Sequence, residues 1–344
     1  GSGAATVVTA GTFTIPLMKK TGFDKDTAGG IVATAASGGQ IMPPVMGAVA
    51  FLMADATSIP YGTVCLAALL PAVLYYLTTS VGIISYAHRK KIPVVERKED
   101  DPTAAQILKK GWYYFAPIVV LIALMITGIS TARAALYTII LCIVIGLITD
   151  YKRFTLKNII NLCRDAASSM MSVSIACMVV GIVVGAINIT GLGLKISTII
   201  TMLAGGNILI MGLLTAVVCI ILGMGLPTSA CYIILSVLVA PAMIKLGVSV
   251  ASAHLFVLYF GVIAAITPPV ALAVFAAIGI SGGDMWKTGL QAVKFAIAGF
   301  TIPFVMLYNN NLVMYHAGTG TFGFDGAVAI AFVLTAIGCC VLSC

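Results

Sequence analysis

Long uninterrupted apolar runs, at 113–132 and 168–190 among others, set the first limit on what this chain can fold into. Each is about as long as the ~20 residues that carry an α-helix across the hydrocarbon of a bilayer. A lipid-facing β-barrel would show short strands of alternating polarity, whereas these runs are continuous and rich in Leu, Ile, Ala and Gly. Composition argues against a water-facing surface: 60% of residues are hydrophobic, 9% are charged and mean hydropathy is +1.12. An average soluble domain carries about 25% charged residues. The sequence predicts an all-α, multi-pass membrane protein.

The formal charge of +8 does not point to nucleic acid, because the basic residues lie between apolar runs rather than in one patch. Such placement records orientation in a membrane. The nine cysteines lie mostly inside apolar runs without a CxxC pair. They read as small packing residues. No Walker loop, HExxH motif or nucleophile triad is present, so enzyme chemistry is not expected.

The hydropathy pattern predicts a short helix at 4–18, a long interrupted stretch at 27–54 and a span at 63–87, then a charged loop. Spans follow at 112–130, 134–149, 168–190 and 207–222, with an interfacial helix at 192–204. After Gly223-Met224-Gly225 come a helix to about 246, a broken stretch at 250–281, a span at 288–307 and a last apolar run at 327–344.

Within this series lies an internal repeat. At a constant offset of 225, Pro16, Met18, Lys20 and Gly22 fall on Pro241, Met243, Lys245 and Gly247. The same offset places Ile41, Pro43, Pro44 and Val45 on Ile266, Pro268, Pro269 and Val270, and Ala48 and Val49 on Ala273 and Val274. A glycine turn opens each copy, Gly1-Ser2-Gly3 or Gly223-Met224-Gly225, three residues out of that register. Five complete crossings separate the copies, so the second is expected to enter from the opposite face as an inverted repeat. With Lys20 placed inside, all of the nineteen Lys and Arg except Arg133, Lys195 and Lys245 fall on the cytoplasmic side. That bias is the one the positive-inside rule expects.

Each copy carries a glycine-rich tip before a helix and a Pro-Pro break in the next span. Proline removes an N–H and disfavours helix at the preceding residue. Freed carbonyls are tolerated at membrane depth only when protein or a water-filled cavity covers them. Paired interruptions in two inverted halves point to a transporter binding site. No Asp, Glu, Lys or Arg lies mid-span in either motif region, and His254, near a span end, is the only candidate for a proton relay. Na⁺ held on neutral oxygens is therefore the expected coupling ion.

The stretches GSGAATVVTAGTFTIPLMKKTGF, ASGGQIMPPVMGAVAFLMA, GMGLPTSACYIILSVLVAPAM and HLFVLYFGVIAAITPPVALAVFAAIGISGGD resemble the large membrane subunit of TRAP (tripartite ATP-independent periplasmic) transporters. The GGQIMPPVMGAVAFLMA form is most similar to the fused type, in which small and large subunits share one polypeptide and work with a TAXI-type periplasmic binding protein. The resemblance implies an elevator-type fold like that of the dicarboxylate/sodium symporters, with two re-entrant hairpins and discontinuous helices. It implies a first Na⁺ site at Ser2, Gly3, Gly38 and Pro43, and a second at Gly225, Thr228, Thr267 and Pro268. The substrate, a small organic anion, would lie near Ser37, Gln40, Pro44, Ser229 and Pro269.

The organisation then expected is a first repeat at 1–87, a cytoplasmic loop at 88–110, two spans at 111–150 and an amphipathic interfacial arm helix at 151–165. The second repeat covers 166–308, and a periplasmic loop with a truncated last span covers 309–344. The descending arm of the first hairpin and the small-subunit part are expected upstream of residue 1. The implied location is a bacterial or archaeal cytoplasmic membrane, with no nucleic-acid partner. Two rival readings are a dicarboxylate/sodium symporter that needs no binding protein, and a channel or membrane scaffold.

Overall fold

A computed structural model of the chain describes residues 2–44, 46–93, 103–127, 129–151, 155–316 and 321–343. Gly1 of the first tip, Val45 of the repeat match, 94–102 of the charged loop and 152–154 of the expected arm lie outside the described residues. Apart from one short ribbon, β1 (Tyr315–His316) antiparallel to β2 (Thr321–Phe322), the regular elements described are helical.

Two compact units emerge: residues 1–94 with 177–344, and residues 95–176. The smaller holds α5 (Ala104–Gly111), a 3₁₀ turn at Trp112–Phe115, α6 (Ala116–Ile126), α7 (Thr131–Asp150) and the first part of α8 (Leu156–Thr190). From Leu156 onward the segment expected as a separate arm is continuous with the following span, because no proline or glycine interrupts it before Gly181. Many large apolar side chains here face outward, Ile148 at 80% exposure among them. Such a surface is unfavourable in water and natural in lipid.

In the larger unit the first four helices are α1 (Gly3–Thr21), α2 (Lys25–Gly38), α3 (Ala48–Thr57) and α4 (Tyr61–Arg89). After α9 (Leu192–Ala204) and α10 (Ile208–Gly223) come α11 (Thr228–Leu238), α12 (Ala240–Lys245), α13 (Val250–Ala264) and α14 (Leu272–Ser281). Then follow α15 (Met285–Phe295), α16 (Ile297–Tyr308) and α17 (Gly326–Ser343). Among the described residues, Tyr61–Arg89, Ala132–Thr149, Thr228–Lys245 and Gly326–Ser343 are long and apolar enough to cross a membrane. Two bent pairs pass the same test together: Gly181–Thr190 with Leu192–Ala204, at 70°, and Met285–Phe295 with Ile297–Tyr308, at 44°.

The repeat seen in the sequence governs the helix boundaries. Helices α2 and α13 start at positions 25 and 250, and α1 and α11 start at Gly3 and Thr228, each pair 225 apart. The tips therefore hold the repeat register, and the three-residue slip suggested by their glycines does not extend to the helix starts. Capping repeats too. The Asp24 carboxylate accepts the Thr27 amide at 2.8 Å, and the Ser249 hydroxyl accepts the Ser252 amide at 3.2 Å. Both satisfy an orphan N–H of a first turn. The chain after each break turns through a positive-φ residue, Met46 at 40° and Ala271 at 36°. One difference stands out: Pro16 lies within an intact α1, whereas Pro241 follows the junction of α11 and α12.

A polar clamp joins the two copies at one end of the larger unit. The Lys19 Nζ donates to the Ser281 carbonyl at 2.9 Å. The Asp26 carboxylate accepts the Asp284 amide at 2.6 Å and the Thr288 hydroxyl at 3.1 Å. Beside it, partial burial pushes the Asp24 acid up, but hydrogen bonds from Thr27 and Tyr86 outweigh burial and hold it below its ordinary value. A Cβ at Gly283 would sit 2.6 Å from Asp26 Oδ1 and 2.7 Å from Thr288 Oγ1. Gly283→Ala is therefore expected to evict the carboxylate and destabilise the fold by about 1–2 kcal/mol. Asp26→Ala should cost a similar amount, and the double variant little more, since both changes break the same bonds. Thermal unfolding of the three variants checks this; additive losses would contradict the clamp.

Candidate functional site

Both helices that open the repeats, α1 and α11, bring their N-termini to the break of α2. Gly3, the first residue of α1, is buried so tightly there that a Cβ would lie 2.9 Å from Gln40 Nε2 and 3.4 Å from Ser37 Oγ. Thr228, the first residue of α11, donates its hydroxyl to Gln40 Oε1 at 2.6 Å. Ser37 and Gln40 are buried, at 0% and 2% exposure. Ser37 Oγ and Gln40 Nε2 have no hydrogen-bond partner among the described residues. Unpaired polar atoms at such depth are costly unless a ligand meets them. Helix N-termini add partial positive charge at the same place.

The expected sodium residues form two sets. In the first, Ser2 is exposed and engaged in capping α1: its hydroxyl accepts the Ala5 amide at 3.4 Å, and its carbonyl accepts the Thr6 amide and hydroxyl, each at 3.0 Å. The carbonyl thus has both lone pairs occupied. Gly38 ends α2 under two tyrosine rings, where a Cβ would meet Tyr75 Cε1 at 2.5 Å and Tyr76 Cζ at 3.0 Å. Pro43 and Pro44 are half-buried. In the second set, Gly225 lies beside Val270 at φ +79°, a backbone angle that only glycine adopts readily. Thr267 donates its hydroxyl to the Ile263 carbonyl at 2.8 Å, which leaves the oxygen lone pairs free to accept. Pro268 packs against Gly289, where a Cβ would lie 2.6 Å from Pro268 Cγ. Both Pro-Pro bonds are cis. Of the expected substrate residues, Ser229 is buried on α11 and Pro269 is exposed.

Three residues that brace the first break were not evident from the sequence. The hydroxyls of Tyr75, Tyr76 and Tyr61 on α4 donate to the carbonyls of Thr34, Ala35 and Pro44, at 3.0, 2.9 and 2.6 Å. They brace the end of α2 and the Pro-Pro segment from one side. The only sequence signal was three polar aromatics within an otherwise apolar span facing a break in its neighbour.

A chain whose described elements are almost wholly helical, with apolar outward faces and two helix N-termini converging on a broken helix, has the build of a polytopic membrane permease. The sequence matches, over residues 1–319, the family described as the tripartite ATP-independent periplasmic transporter, DctM component, and the chain belongs to that family. It is 23% identical over 310 residues to the sialic acid TRAP transporter permease protein SiaT of Haemophilus influenzae (strain 86-028NP), covering 88% of this chain and 48% of that protein. It is 22% identical over 319 residues to the isethionate TRAP transporter permease protein DctMQ of Oleidesulfovibrio alaskensis (strain ATCC BAA-1058 / DSM 17464 / G20). That match covers 92% of this chain and 50% of the relative. The chain spans about half the length of the curated relatives it matches.

Proposed function

We propose that the whole protein is the permease of a TRAP transporter that takes up a small organic anion by Na⁺ symport across a bacterial or archaeal cytoplasmic membrane. A periplasmic binding protein, of the TAXI type, delivers the anion, and a small membrane subunit or its fused equivalent completes the permease. The observation that carries this reading is the meeting of Gly3, Ser37, Gln40 and Thr228, where two helix N-termini reach a neutral, buried break. Na⁺ is a hard cation suited to neutral oxygens. The positive ends of the helices suit an anionic substrate. The relatives named for sialic acid and isethionate, both organic anions, favour the same class.

The two copies are read as inverted repeats of an elevator-type fold with re-entrant hairpins. Supporting this, α2 begins and α14 ends beside the same clamp. The start of α13 instead meets the 3₁₀ turn that follows α16, where the Ser252 hydroxyl donates to Asn310 Oδ1 at 3.0 Å. Cysteines at Lys20 and Asp284, in a cysteine-free background, should react with an impermeant maleimide from the cytoplasm, and one at Lys245 from the periplasm. Labelling of positions 20 and 245 from one side would contradict the inversion.

The sodium assignment is tested by Thr228→Val and Thr267→Val, which remove a hydroxyl at nearly constant volume. Each is expected to cost about 1–3 kcal/mol of ion binding. That raises half-maximal Na⁺ for uptake by roughly five- to hundredfold. Unchanged Na⁺ dependence in both, at matched folded amount, would remove support for the second site.

A further inference from the structure

We propose that Gln40 is a positioning residue that couples the two sodium sites, so that an ion at one tip raises affinity at the other; this rests on the sodium reading above. Gln40 lies in the break of α2 between Gly38 and Pro43, residues of the first set. Its amide nitrogen would lie 2.9 Å from a Cβ at Gly3, also of the first set. Its amide oxygen accepts the hydroxyl of Thr228, of the second. One side chain thus meets a residue of each set. The matching position in the other repeat is Ala265, so the bridge has no symmetric copy.

The physics of the bridge follows from the hydroxyl. The Thr228 hydroxyl already donates to Gln40 Oε1; an ion on a lone pair of Oγ1 polarises the O–H and strengthens that bond. The strengthened bond fixes more firmly a long side chain that has substantial rotamer freedom to lose. The ordered amide then backs Gly3 and the Gly38–Pro43 segment before the other ion arrives. A site already ordered binds more tightly, which is positive cooperativity without a new contact. Linkage makes the effect reciprocal.

The test is equilibrium binding of radiolabelled Na⁺ to the whole protein in nanodiscs, at ionic strength held constant with choline. The wild type should bind with a Hill slope approaching about 2, the limit for two sites. Gln40→Met should bind the same amount of ion with the slope falling toward about 1. Thr228→Ser keeps the hydroxyl and should keep the steep curve. If Gln40→Met does not fold, Gln40→Leu serves, since it too removes the amide that bonds Thr228; it should lose the slope likewise. A steep curve in Gln40→Met or Gln40→Leu, a shallow curve in the wild type, or loss of bound ion in Gln40→Met would each overturn the proposal while leaving the sodium reading in place. No specific Na⁺ binding to the wild type would overturn both.

Discussion

Gly38→Ala is expected to cripple transport by the whole protein, although it adds a single methyl group. That methyl would sit 2.5 Å from Tyr75 Cε1 and 2.9 Å from Cδ1, distances that no relaxed structure holds. The Tyr75 ring has nowhere to go. It is fully buried, its hydroxyl is bonded to the Thr34 carbonyl, and its other edge faces Gly299, where a Cβ would lie 3.0 Å from Cε2. The break of α2 must therefore move away from α4, and Gln40 and Pro43 move with it. Overpacking of this kind costs about 1–3 kcal/mol in stability. If the displacement spends a similar amount at the ion site, half-maximal Na⁺ rises by roughly tenfold or more. Gly279→Ala is the control, since nothing lies within 4 Å of its added Cβ. It should leave uptake unchanged and, with alanine's better helix propensity, lose no stability. Uptake against Na⁺ concentration and thermal unfolding of both variants decide the matter. Wild-type behaviour of Gly38→Ala would mean that α4 does not set the geometry of the break.

The ten matched positions made the repeat legible in the sequence, because proline and glycine fix backbone geometry locally and so leave a trace in residue identity. The structure extends the match to features that identity alone hides, such as the caps Asp24 and Ser249, which share a role without sharing a residue. The tips misled, since a glycine can shift by several residues within a turn while the helix start stays fixed at Gly3 and Thr228. The bracing role of the tyrosines was not legible because they act across sequence separations of 17 and 41 residues, on carbonyls that carry no side-chain signature. The arm expected at 151–165 was inferred from its polar residues; from Leu156, however, the helix runs through to Thr190, since a change in polarity does not end a helix without a breaker. Gln40 and Thr228 were both singled out from the sequence, but their 2.6 Å bond across 188 residues is a property of the packing alone.

The second large effect concerns the driving ion. Both candidate sets offer neutral oxygens and no carboxylate, so on the proposed Na⁺ reading selectivity would rest on carbonyls and hydroxyls around a small hard cation. K⁺ is larger and would need a wider set of ligands than the two Pro-Pro segments, the first held by Tyr61 at Pro44 and the second packed on Gly289 at Pro268, can open without breaking those contacts. A proton has no titratable group to occupy in either set. The measurement that tests the account most directly is uptake of a labelled organic anion, identified as the ligand of the cognate binding protein. It uses proteoliposomes that contain the whole permease with that binding protein outside. With Na⁺ replaced by K⁺ at fixed pH and membrane potential, uptake should collapse to the level of empty vesicles. Undiminished uptake in K⁺, driven by a proton gradient alone, would contradict it.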